Sequence, residues 1–84
     1  MAAITKPDAV KDYDTRQALL ALTDRVIAGD GAVPAFTSVK DVETRRVMQA
    51  IASRLEGENV SVPTPGAVAD YEVRRVLIDI ISNI

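Results

Sequence analysis

Carboxylate pairs recur along the chain with one residue between their members, and such pairs can act as general acid and base or bind cations. The pairs are Asp12 with Asp14, Asp41 with Glu43, and Asp70 with Glu72. Each pair opens an amphipathic segment, where the first carboxylate can cap a helix and the second can face the positive end of its dipole. We therefore interpret the pairs as helix starts and expect no catalytic residue, metal site or cofactor.

Other chemistry is also poorly supported. The sequence has no His and no Cys, which excludes the common catalytic triads and dyads and the usual zinc sites. The segment Gly29-Asp30-Gly31 fits neither a phosphate-binding loop nor a calcium loop and predicts a turn. We expect a protein that is not an enzyme and has no small-molecule substrate.

Basic side chains are paired at Arg45-Arg46 and Arg74-Arg75, where they could contact phosphates. They lie beside acidic residues, and the ten basic residues of the chain are outnumbered by twelve acidic ones. The three aromatic residues, Tyr13, Phe36 and Tyr71, are too few for a base-stacking surface. We expect no nucleic-acid partner.

The start of the sequence has neither the basic nor the apolar region of a secretory signal. The most apolar stretch, residues 76–84, is too short to span a bilayer. We expect no membrane partner and synthesis in the cytoplasm.

The chain is a tandem repeat of one 29-residue unit, aligned without gaps on Val10, Val39 and Val68. Over seventeen positions the first two copies share seven identities, and the last two share eight, where chance gives roughly one. We divide the chain into residues 1–38, 39–67 and 68–84.

Each unit predicts a helix after an extended linker, which makes the fold all-α. We place the helices at 13–28, 42–56 and 71–84, followed by the helix-ending glycines Gly29, Gly31 and Gly57. Pro34, Pro63 and Pro65 keep the linkers extended, and Pro65-Gly66 predicts a turn. The helix caps and the arginines four residues later, within reach of an ion pair, are Asp12, Arg16, Asp41, Arg45, Asp70 and Arg74.

Apolar residues in each helix follow the 4, 3, 4 spacing of a coiled-coil seam. Thr15 and Thr44 begin two of these stripes, and Ala18, Val47 and Val76 widen all three. The predicted packing or interface residues are Leu19, Leu22, Val26, Met48, Ile51, Leu55, Val73, Leu77, Ile80 and Ile84.

The stripes can be covered in two ways. A twelve-residue linker reaches about 40 Å and a helix of this length spans about 22 Å, so the chain can return to form its own three-helix bundle or continue to a new site. Linkers longer than bundles usually need favour helices that pack against other chains as an oligomeric bundle. The third helix, apolar on most sides, is predicted to be the most deeply buried in the assembly.

The phrase VKDVETRRVMQAI at residues 39–51 resembles short helical segments in virion proteins of tailed bacteriophages, at fibre bases and in small capsid- or neck-attached proteins. The resemblance covers the three helices. It implies a non-enzymatic virion component that forms a homo-oligomer, with a trimer favoured, or binds other virion proteins.

One alternative is a small monomeric three-helix interaction module that binds and regulates a host protein. A folded monomer with one-to-one binding would favour this alternative over the virion component.

Overall fold

A computed structural model of the protein describes residue 4, residues 7–29 and residues 36–84. Three helices are present in these ranges: α1 (Tyr13–Ala28), α2 (Val42–Leu55) and α3 (Tyr71–Ser82). Short 3-10 turns at Pro7–Ala9 and Pro65–Ala67 precede α1 and α3. The described residues contain no strand, so the prediction of an all-α fold is confirmed.

An aspartate caps the start of each helix. The side chains of Asp12 and Asp41 each accept a hydrogen bond from the amide three residues later, and Asp70 accepts from the amides of Glu72 and Val73. Amides in the first turn of a helix have no partner within the helix. These carboxylates therefore satisfy donors that would otherwise be unpaired, and they fix where the helices begin.

Glycine in the left-handed conformation ends the first two helices. Gly29 has a φ of +79° and its amide donates to the carbonyl of Arg25, and Gly57 has a φ of +92°. The second helix ends at Leu55, one residue before its predicted end. Gly31 and the linker residues Val33 and Pro34 lie outside the described residues.

The third helix ends at Ser82, two residues before the predicted end at Ile84. The amides of Asn83 and Ile84 donate to the carbonyls of Ile80 and Ile81. These bonds span three residues rather than four, so the last turn is tightened into 3-10 geometry.

All three helices run in the same direction. Their N-cap residues Asp12, Asp41 and Asp70 line one cavity, which places the three N-terminal ends together. At the opposite end, the Arg25 guanidinium donates to the carbonyl of Leu55 across 3.0 Å. The linker between Leu55 and Tyr71 therefore returns the chain along the length of the helices.

The two 3-10 turns each pack on the helix that follows and on one other helix. The Pro65–Ala67 turn packs on α2 and α3, and the Pro7–Ala9 turn packs on α1 and α3. The second contact joins the start of the chain to its last helix, so the three units close into a ring.

The core combines the three apolar stripes with one valine from each linker. Leu19, Leu22, Met48, Ile51, Leu77 and Ile80 are fully buried, and Val10, Val39 and Val68 are nearly so. Leu55 and Ile84 are partly buried against this cluster. Within one chain, the predicted interface residues thus cover one another.

Within one chain, α3 is not buried more completely than α1 and α2, and its predicted burial in an assembly stays a prediction. Its core stripe of Val73, Leu77 and Ile80 is buried, as are the stripes of α1 and α2. Ile78, however, remains 47% exposed. Ile78 therefore lies outside the width that two neighbouring helices cover.

None of the described helices is long and apolar enough to cross a membrane.

Ring closure predicts that the chain tolerates circular permutation. Joining Ile84 to Met1 through three added residues restores the 29-residue spacing between Val68 and Val10, and new ends can be opened between Gly57 and Glu58. We expect a cooperative thermal melt by circular dichroism, with the free energy of unfolding within about 2 kcal/mol of the native order. The control permutant opened at Gln49, inside α2, should fail to fold. Failure of the first permutant would contradict ring closure.

Candidate functional site

The N-terminal ends of the helices surround a cavity of about 290 Å³. Its wall contains the N-cap carboxylates Asp12, Asp41 and Asp70 together with Lys40. The remaining lining residues are Thr15, Thr44, Ala69 and Val73. The three parallel helices bring their positive dipole ends to this point, where they repel one another. The negative carboxylates around the cavity offset that repulsion.

The carboxylates of the cavity are occupied by capping bonds. The Thr15 hydroxyl donates to Asp12 Oδ2 across 2.6 Å, and the Thr44 hydroxyl donates to Asp41 Oδ2 across 2.5 Å. The third unit has Val73 at this position, and Asp70 accepts from two backbone amides instead. Both hydroxyls are therefore engaged as donors.

Asp12 is held in its ionised form. The hydrogen bond from the Thr15 hydroxyl is the largest influence and lowers the pKa of Asp12, against the opposing effect of desolvation. The Thr15 amide and the charges of Lys40 and Arg16 lower the pKa further. A carboxyl with a lowered pKa is a poor proton donor at neutral pH.

Metal binding has no support in the described residues, since no three His, Cys, Asp or Glu side chains among them are placed to hold an ion. The cavity is best explained as the junction of three capped helix ends.

The arginines four residues after the caps do not form the predicted ion pairs. Instead, Arg16, Arg45 and Arg74 donate to the carbonyls of Val10, Val39 and Val68, across 2.7, 2.6 and 2.8 Å. The carbonyl two residues before each cap lies closer to the guanidinium than the carboxylate does, because the carboxylate is turned toward the first-turn amides. Each arginine therefore ties a helix to the linker that leads into it.

Ion pairs do join Arg46 to Glu43 and Arg75 to Glu72. Both are 3.6 Å long and solvent-exposed, and exposed pairs contribute little to stability.

Exposed apolar side chains surround the N-terminal end. Tyr13, Val42 and Tyr71 occupy the first position of each helix and are each more than half exposed. The Arg16 and Arg74 guanidinium groups each lie 5.6 Å from the ring centroid of the tyrosine in the same helix. This contact holds the ring against the helix and leaves its outer edge to solvent.

A second, apolar cavity of about 360 Å³ lies on the side of the molecule. The linker residues from Val62 to Gly66 form one wall, and Arg74, Ile78, Ile81 and Ser82 form the other. The sequence analysis did not predict this groove. Its one signal in the sequence is that the third unit has the apolar Ile78 at the position where the second unit has the polar Gln49.

No protein-family model, curated protein or solved structure matches the chain.

Substitution of Arg45 by Met should reduce stability because it removes a charged donor from the Val39 carbonyl. We expect a loss of about 1–2 kcal/mol in the free energy of unfolding, measured by urea titration. The matched control is Arg46→Met, which breaks an exposed pair and should cost less than about 0.5 kcal/mol. Equal effects would contradict the role assigned to Arg45.

Substitution of Thr15 by Val should raise the pKa of Asp12 toward its ordinary value of about 3.9, because the hydroxyl is the main cause of the lowered pKa. Asp12 in the native chain stabilises the fold above that value, and this contribution is lost as the pH falls through the lower, folded pKa. In the variant the folded and unfolded pKa values lie closer together, so this contribution should be smaller and its loss should be complete at a higher pH. Carboxyl NMR titration of Asp12 measures the shift, and an unchanged pKa would disprove the cause.

Proposed function

We propose that the protein is a non-enzymatic assembly protein that acts through the outer surface of a self-contained three-helix body. The observation that carries this proposal is the mutual burial of Leu19, Met48, Leu77 and their neighbours within one chain. With those stripes covered, any partner meets the folded chain from outside. The three carboxylates and two hydroxyls that line the cavity are engaged in helix capping.

The end where the helices begin is the surface best suited to attachment. It carries Tyr13, Val42 and Tyr71 in equivalent positions, all exposed, beside the first-turn carboxylates Asp14, Glu43 and Glu72. Equivalent groups on one rigid body can engage equivalent sites on a partner at the same time. Their contributions combine through effective concentration rather than one tight contact.

The setting we propose is the virion of a tailed phage, as a fibre, decoration or neck-attached component. Its support is the resemblance of residues 39–51 to helical segments of such proteins. Partners would be other virion proteins and further copies of this chain. A trimer made through the helix stripes would require uncovering them, so copies are proposed to meet through outer surfaces.

A second candidate is a monomeric module that binds and regulates one host protein. The covered stripes favour it, because no exposed seam requires a second chain for stability. The two candidates differ in whether the chain is found in particles or in a soluble complex.

Particle association tests the proposal. Phage particles purified by density gradient should contain peptides of this chain in a fixed ratio to the major shell protein, measured by mass spectrometry. Replacement of Tyr13 and Tyr71 by Ala should reduce that ratio several-fold without unfolding the chain, because both rings are exposed. The control Ile27→Ala changes an exposed residue at the opposite end of α1 and should leave the ratio unchanged.

Recovery of the chain only in the soluble fraction, in a one-to-one complex with a host protein, would overturn the virion assignment and support the second candidate.

A further inference from the structure

The apolar groove beside α3 is a surface that the fold does not require. One wall is the linker, with Val62, Pro63 and Pro65, and the other is the outer side of α3, with Ile78 and Ile81. Ile78 is 47% exposed and Ile81 is half-buried. Apolar side chains on both walls of an open groove are what a helix-binding surface presents.

The second unit provides an internal comparison with the third, whereas the first unit carries the half-buried Leu20 at the position of Ile78. In α2, the positions of Ile78 and Ile81 are filled by Gln49 and Ala52. Gln49 is exposed, and α2 still packs its stripe as α3 does. An isoleucine at position 78 is therefore not needed to form the helix or the core.

We propose that this groove seats a second copy of the chain, with the two α3 helices packed antiparallel across a two-fold axis near Ile78. A two-fold interface uses the same patch twice, and each groove would receive the Ile78 and Ile81 side chains of the other copy. This dimer deepens the proposed assembly function by naming one face through which copies meet. Its role in assembly rests on that proposed function, whereas the dimer itself does not.

The charges along α3 favour this occupant and this direction. Arg74 and Arg75 lie in the first half of the helix, and no basic residue lies in its last turn. Antiparallel packing places each arginine pair beside the C-terminal end of the other α3, where the helix dipole is negative. Parallel packing would instead bring together the arginine pairs of both copies, whose charge Glu72 offsets only in part.

Burial of the isoleucines makes the affinity sensitive to position 78. Ile78→Gln installs the residue that the second unit carries, so the variant should fold like the native chain. It removes apolar contact from both halves of the interface, which should weaken dimerisation about tenfold or more. The matched control is Ile27→Glu, which installs the residue found at Glu56 and changes a side chain that is 61% exposed.

Sedimentation velocity over a wide concentration range gives the dimer dissociation constant of the full chain and both variants. We expect a native dimer, weakened by Ile78→Gln and unchanged by Ile27→Glu. The chain has no cysteine, so Ile78→Cys should form an intermolecular disulfide under mild oxidation, whereas Ile27→Cys should not.

A native chain that stays monomeric at all concentrations would overturn the proposal. A dimer that Ile78→Gln does not weaken, or one that Ile27→Glu weakens equally, would also overturn it. None of these results bears on particle association, which is measured separately and tests the assembly function.

Discussion

The common direction of the three helices is the constraint on which the rest of the structure depends. It brings three positive dipole ends to one cavity, and the N-cap carboxylates Asp12, Asp41 and Asp70 offset them there. It also requires the chain to travel back along each helix before the next begins. Antiparallel bundles avoid both requirements with short loops, so the long linkers and the repeated acidic caps follow from the same choice of direction.

Returning linkers need to be held against the helices, because long connections lose conformational entropy when they are ordered. Two contacts recur in each unit to do this. A buried valine, at positions 10, 39 and 68, enters the core, and its carbonyl accepts from the arginine six residues later. The same residue is thus anchored by its side chain and by its backbone, and the linker arrives at a fixed point before the cap.

Much of this fold could be predicted from sequence because its signals are local. The caps, the glycine ends at Gly29 and Gly57 and the buried stripes all follow from spacing within one unit. Whether the helices pack within one chain or between chains could not be predicted from the sequence, since the linkers are long enough for either arrangement. The role of Arg45 was also missed, because spacing gives its distance from Asp41 along the helix but not the position of the Val39 carbonyl. The groove depends on how a linker lies against α3, which periodicity does not describe.

The two ends of the molecule differ in symmetry. Where the helices start, the three units present nearly the same groups, whereas at the other end Arg25 reaches Leu55, Arg54 reaches Val60 and Asn83 bonds within its own helix. A partner docked on the first end therefore has three nearly equal rotational settings, a statistical advantage of about 0.65 kcal/mol in binding. A partner docked on the other end has one rotational setting. The N-terminal end of the bundle can thus accept a partner in any of three orientations, whereas the C-terminal end fixes a single orientation.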